Sequence, residues 1–321
     1  NVSDRVNKAF QNFFRRVKDK SCKEKGFPRF KSRVNSITYP QSGFKILSDK
    51  RLRLSKIGSI PMVLHRIPKG KIKTLTIKVN KANQWFAVFS CELPDVKVIH
   101  PSKEAIGIDV GIENFLTDNK GNPIVNPRFY VSAEKKLARL QRIHSKRIKG
   151  SKNRNKARIK VARQHIKVAN QRSNFLHKLS RSLTLRYGII SGETLNIKNM
   201  LKNHIFAKGI NDASWGMFMN MLSYKAVTCG GQFLENPKTR GSSHRCNKCG
   251  FYVEDMPLSK RTFNCPKCFN VLHRDHNSAI NHLNETAGLA GIYTPVDIGP
   301  IQQISSAASL VVESGTTYGS S

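Results

Sequence analysis

Four cysteines in two pairs constrain this chain more than any other feature. Cys246-Asn247-Lys248-Cys249 is followed, after fifteen residues, by Cys265-Pro266-Lys267-Cys268. Two CxxC knuckles at this separation bring four thiolates to one tetrahedral zinc ion, so residues 241–269 are expected to form a zinc ribbon holding one structural Zn²⁺. His273-Arg274-Asp275-His276-Asn277 follows directly. An acid so close to the ribbon suggests that the zinc module is inserted beside a metal-dependent active site. Cys22, Cys91 and Cys229 have no such spacing and read as apolar fillers, a pattern that suits a reducing compartment and argues against a disulfide framework.

Charge narrows the partner. The chain has 321 residues, with 56 Lys and Arg against 20 Asp and Glu, for a net charge of +36. Such a protein repels itself unless a polyanion neutralises it, which points to nucleic acid. A membrane surface is the competing polyanion, but no apolar run approaches the roughly 18–20 residues needed to span a bilayer, and no membrane partner is expected.

The pattern of apolar residues divides the chain. Residues 1–25 read as an amphipathic helical segment with Val6, Ala9, Phe10, Phe13, Phe14 and Val17 on one face. The chain opens inside this helix on Asn1, and an N-terminal portion is expected to be missing. Residues 26–100 alternate in short strands, among them 52–54, 73–79 and 85–90, and predict an antiparallel barrel or sandwich. A mixed sheet is expected over 101–240, with a buried strand at Ala105–Val110, a second at Phe115–Asp118, a turn at Asn119–Asn122 and a third strand near Phe129–Val131. Helical periodicity then runs through 132–186, broken at Gly150-Ser151-Lys152-Asn153. Glu134 is the only acid in that span. Like charges four residues apart destabilise a helix unless phosphate lies beside them, so these helices are expected to bind nucleic acid through residues such as Lys152, Arg154, Arg158, Arg163 and Arg172. A strand follows at 188–195, then a helix with Trp215, Phe218, Leu222 and Tyr224, and a fifth strand at 231–235. Residues 270–286 complete the sheet domain with a last helix, and 287–321 read as a mostly mobile tail.

Three carboxylates stand out by position. Asp109 lies in an apolar strand, Glu193 near the end of another, and Asp275 at the start of the last helix. A buried, unpaired carboxylate is costly, and three that converge would hold divalent cations. Oxygen ligands suit Mg²⁺ or Mn²⁺, and a pair of such ions can clamp both the attacking and the leaving oxygen of a phosphodiester.

The run Gly107-Ile108-Asp109-Val110-Gly111-Ile112-Glu113-Asn114-Phe115, the segment Glu193-Thr194-Leu195-Asn196, the paired knuckles and Arg274-Asp275-His276-Asn277-Ser278-Ala279 together resemble the TnpB family. Its members are transposon-encoded proteins related to the compact type V CRISPR nucleases. Ala9–Phe14 with Gly26–Lys31, and Ser151–Arg154, extend the resemblance over nearly the whole chain.

The resemblance implies an α/β multidomain protein. An RNase H-like (RuvC) mixed sheet with an inserted zinc ribbon would follow a β-barrel wedge domain (26–100) and a helical segment (1–25). It also implies an RNA-guided, metal-dependent DNA endonuclease with Asp109, Glu193 and Asp275 as catalytic acids around two Mg²⁺ or Mn²⁺ ions. Guide RNA from the transposon end and target double-stranded DNA would be its partners, a monomer with RNA its state, and the prokaryotic cytoplasm its location. The wedge would grip the guide scaffold, and the basic helices, with Arg274, would face nucleic acid while base pairing reads sequence.

Two positions depart from the family pattern. His273 stands where Asp is usual, and Phe269 replaces the Gly after the fourth cysteine, which predicts a strained second knuckle. Two other readings remain open at the level of sequence: a nucleic-acid-binding regulator without nuclease activity, and a transposase that itself joins strands.

Overall fold

The computed structural model describes residues 2–22, 24–29, 34–48, 50–94, 98–236, 241–257, 259–290 and 310–314. The chain divides into two compact units: Asn1–Asp95 with Arg158–Ala162 and Gln303–Ser321, and Val96–Ala157 with Arg163–Gln302.

In the first unit, α1 (Val2–Lys18) buries none of its side chains. Phe27 stands 5.7 Å from Phe10 and 5.2 Å from Phe13, ring centre to ring centre, while Val6, Phe14 and Val17 stay exposed. Six strands follow: β1 (Ser36–Pro40), β2 (Phe44–Ile46), β3 (Arg51–Leu54), β4 (Gly58–Pro61), β5 (Lys71–Val79) and β6 (Trp85–Glu92). β3 shows why they form. Leu52 and Leu54 are buried while Arg51 and Arg53 face water, the period-two pattern of a strand with one covered face. Asn80 closes the β5–β6 hairpin by accepting from the backbone N–H groups of Ala82 and Gln84. The strands make two antiparallel sheets, β2-β3-β4 and one containing β1-β5-β6, and share a core of Leu52, Leu54, Leu75, Ile77 and Phe89. Among the described residues this is a pair of sheets and not a closed barrel.

The second unit is built on β7 (Ala105–Val110), β8 (Asn114–Asp118) and β9 (Pro123–Val125), followed by α2 (Phe129–Ser145), α3 (Lys152–Arg186) and β10 (Ile189–Glu193). The chain continues through α4 (Ile197–Met200), α5 (His204–Ala213), α6 (Trp215–Thr228) and β11 (Gln232–Asn236). β12 (Thr262–Asn264), β13 (Val271–His273) and α7 (Arg274–Ala290) follow. The five-stranded sheet is mixed, in the order β11-β10-β7-β8-β9. β7, β8 and β9 are antiparallel neighbours, whereas β10 runs parallel to both β7 and β11. Ile106, Ile108, Phe115, Leu176, Ile190, Phe218 and Leu222 form its core.

α7 lies tight against β7. A Cβ at Gly107 would fall 2.2 Å from the Ala279 carbonyl oxygen and 2.8 Å from the Leu283 Cβ, so only glycine lets the helix approach.

Two expectations change. The third strand is Pro123–Val125, and Phe129–Val131 instead opens α2. Arg128 turns the chain with φ 46°, and the backbone N–H groups of Tyr130 and Val131 donate to the buried carboxylate of Asp212, 2.9 Å away at its nearest. The helix therefore starts where a distant acid caps it. The expected mobile tail lies largely outside the described residues, but Leu310–Ser314 forms a strand, β14, paired antiparallel with β6.

Candidate nuclease and zinc sites

The zinc knuckles are near copies of each other. In the first, the Gly250 N–H donates to the Cys246 carbonyl (2.9 Å), and the Cys246 N–H to that of Phe251 (2.9 Å). In the second, the Phe269 N–H donates to the Cys265 carbonyl (3.0 Å), and the Cys265 N–H to that of Asn270 (2.9 Å). Gly250 has φ 73° and Phe269 has φ 57°, so the phenylalanine adopts the left-handed conformation that glycine takes freely. The knuckle is not distorted; the cost lies in the backbone of one residue.

The four Sγ atoms lie within 4.8 Å of one another. Cys246 and Cys268 are 3.6 Å apart and Cys249 and Cys265 3.5 Å, close to the roughly 3.8 Å edge of a tetrahedron with Zn–S bonds near 2.3 Å. Burial resists ionisation of Cys246, but backbone N–H groups of Cys249 and Lys248 and the neighbouring thiols outweigh it and lower this thiol to about 6. The donor set fits zinc.

The ribbon sits on α7 through polar side chains. Asn277, fully buried, accepts from the Asn247 N–H (3.0 Å) and donates to the Arg245 carbonyl (2.7 Å). Asn281 donates to the carbonyls of Ser242 and Arg245, both at 2.7 Å. Arg274, also buried, spends its guanidinium on the Pro257 carbonyl (2.9 Å) and the Ser243 hydroxyl (3.0 Å).

Beside this seat the three sequence-predicted acids come together. Asp109 extends from β7, Glu193 ends β10 and Asp275 lies in the first turn of α7. Burial, and then the charge of Asp109, push Glu193 up to about 8. Asp275 is raised for the same two reasons in the same order, although His273, Arg261 and Arg274 pull the other way. Asp109 thus lies near enough to both acids for its charge to raise their proton affinity. Its donor atoms and those of Glu193 lie within 4.8 Å of one another, Asp275 stands outside that closest group, and the arrangement is one that could hold cations. Arg261 lies across its rim, 3.6 Å from Asp275 and 3.2 Å from Glu113. His273 accepts from the Asp275 N–H (3.3 Å).

Sequence reasoning missed His282. It is fully buried, and its imidazole shares a cluster with Asp109 and Glu193 whose donor atoms all lie within 4.8 Å. The available signal was a histidine one and a half to two turns beyond the helical acid, on the same helix as the buried Ser278.

The six cations expected at phosphate separate into groups. Lys152 and Arg163 are exposed on α3; Arg158, also exposed, donates to the Lys81 carbonyl (2.9 Å), and Arg154 is half-buried with its guanidinium on the Arg147 carbonyl (2.7 Å). Arg172 pairs with buried Asp212 at 3.0 Å, and Arg274 is enclosed as described. These last two hold the protein together, which corrects the expectation that they face phosphate. Among the described residues no helix is long and apolar enough to cross a membrane.

Comparison with known proteins agrees with this anatomy. Residues 88–204 match the family OrfB_IS605, described as "Probable transposase", and residues 215–282 match the "Cas12f1-like, TNB domain". A Streptomyces pristinaespiralis protein, provisionally named an RNA-guided DNA endonuclease, is 35% identical over 88% of this chain and 69% of its own length. The Escherichia coli protein provisionally named RNA-guided DNA endonuclease InsQ is 30% identical over 87% of this chain and 71% of its own length. A solved Cas12f1–sgRNA–target DNA complex aligns over 80% of this chain and 68% of that chain at 16% identity, with a TM-score of 0.41, from which no shared architecture follows.

Proposed function

We propose that this chain, which belongs to the TnpB family of transposon-encoded proteins, is an RNA-guided DNA endonuclease that hydrolyses phosphodiesters at a RuvC-type site on an RNase H-like sheet. The observation that carries the reading is the convergence of Asp109, Glu193 and Asp275 from two parallel strands and one helix, with the proton affinities of Glu193 and Asp275 raised. Such carboxyl groups resist ionising side by side unless a cation lies among them, so they suit Mg²⁺ or Mn²⁺. Divalent ions held there would make the attacking water more acidic and offset charge on the departing oxygen.

The chain's own residues then have separate tasks. The acids hold the cations, and Gly107 lets α7 bring Asp275 up to the sheet. The cysteines would hold one zinc and so keep residues 241–269 folded on α7, next to the acids. Lys152 and Arg163, exposed on a helix without acidic residues, offset the backbone charge of a guide–target heteroduplex whose pairing reads sequence. The β1–β6 sheets are assigned to the guide RNA scaffold.

The test is to express the gene with its own transposon flank, sequence the RNA that copurifies, and present the complex with magnesium and a matching plasmid. A discrete RNA and double-strand cuts are expected. Asp109→Ala should abolish cutting, by more than about 100-fold, while zinc content and RNA remain. Cutting by Asp109→Ala at the parent rate would refute the site. A discrete RNA without cuts from the parent would instead favour a binding protein, and strand-transfer products a transposase.

A further inference from the structure

Asp109 is gripped from one side. Ser278 Oγ donates to its Oδ1 at 3.0 Å, and His282 Nε2 lies 3.4 Å from the same oxygen and 3.4 Å from Ser278 Oγ. Residues 278 and 282 are one turn apart on α7, so a single helix face supplies both contacts. Oδ2 receives no hydrogen bond from the described residues.

The proton on His282 can be located from its surroundings. Its Nδ1 is 3.3 Å from Asn236 Nδ2, and that same amide nitrogen also donates to Glu285. Arg245 lies 3.5 Å from the other Glu285 oxygen, so Glu285 is an acceptor and the Asn236 amide must turn its NH₂ group toward it. That NH₂ group faces Glu285 and, at 3.3 Å, His282 Nδ1. A ring nitrogen that accepts is bare, and the ring proton then sits on Nε2, facing Asp109 Oδ1 and Ser278 Oγ.

We propose that His282 is a positioning residue for Asp109. Its Nε2–H, fixed by the Asn236–Glu285 relay, donates to Oδ1 and leaves Oδ2 to a divalent cation shared with Glu193. The inference rests on the carboxylate site proposed above. It runs against the obvious alternative in which the imidazole is itself a ligand, because a protonated nitrogen cannot coordinate a metal. It accords with the general use of outer hydrogen bonds to orient ligating carboxylates.

Manganese binding to the zinc-loaded full chain, followed by electron paramagnetic resonance of the unbound ion, tests the assignment. Unfolding temperature and zinc content are checked for every variant. His282→Ala should weaken manganese binding about 10- to 100-fold. His282→Gln, whose amide N–H reaches the place of Nε2–H, should restore binding to within about threefold of the parent, while His282→Asn, which places its amide at Nδ1, should not. The Gln and Asn pair keeps the test decisive should the alanine variant fail to fold. Parent-like binding by His282→Ala overturns the proposal. Equal loss in Ala and Gln variants overturns it in favour of direct ligation. Parent-like binding by Asp109→Ala would instead sink the carboxylate site on which it rests.

Discussion

The zinc site and the acid site adjoin on α7, yet they are assembled in opposite ways. Each zinc knuckle is a local turn closed by its own backbone hydrogen bonds, and the two lie within twenty-three residues. The acid site draws on residues from Asp109 to Asp275, each acceptable alone as a cap or a surface acid, and acquires its character only when β7, β10 and α7 meet. A local site tolerates change outside itself. A dispersed one depends on every approach between its elements.

The largest expected effect separates the two. Cys246→Ser removes a thiolate ligand, and structural zinc in isolated ribbons is worth about 10–16 kcal/mol of apparent binding free energy. The variant should lose zinc, by metal analysis, and the order of residues 241–269, by hydrogen exchange, while the β7–β11 sheet persists. Global unfolding would show that the ribbon is not a local site after all.

Gly107→Ala attacks the dispersed site without touching an acid. The added methyl meets backbone at 2.2 Å, so α7 must move away from β7, at a cost of about 1–3 kcal/mol. Denaturant titration should show that loss together with weakened manganese binding. Retained binding would mean that the acids tolerate a displaced helix.

Acidity offers a milder probe. The Glu193 carboxyl is raised from 4.5 to about 8, so between those values the folded chain holds a proton that the unfolded chain has released. Stability without magnesium should therefore fall as pH rises through this window, and saturating magnesium or Glu193→Gln should flatten the slope. Chemical denaturation across the window reads the sign; a rise with pH would contradict the burial of Glu193 beside the Asp109 charge.

The smallest effect compares knuckle with knuckle. Phe269→Gly relieves a left-handed non-glycine residue and should raise stability by about 1 kcal/mol, visible as a higher melting temperature with zinc bound. A lower melting temperature would show that the exposed ring makes a stabilising contact.

Much of this was legible in the residues. The cysteine spacing, the period-two strands of β3, β5 and β6, the Asn119–Asn122 turn and the break before α3 all follow from short-range rules. The three acids could be singled out by position, Asp109 within an apolar strand, Glu193 near the end of another and Asp275 at the start of the last helix. The start of α2 could not be placed, because its cap is Asp212, more than eighty residues away. Arg172 and Arg274 looked like their basic neighbours until Asp212 and the ribbon enclosed them. His282 gave little signal, since α7 buries a polar face of Asn277, Ser278, Asn281 and His282 that hydropathy assigns to water.

Sequence alone thus determined what depends on neighbours along the chain: ligand spacing, strand alternation, turn chemistry and overall charge. Tertiary structure decided which acids share a field, which cations remain exposed, and which groups surround His282. Those properties depend on distance and dielectric between groups far apart in the chain, and folding alone sets both.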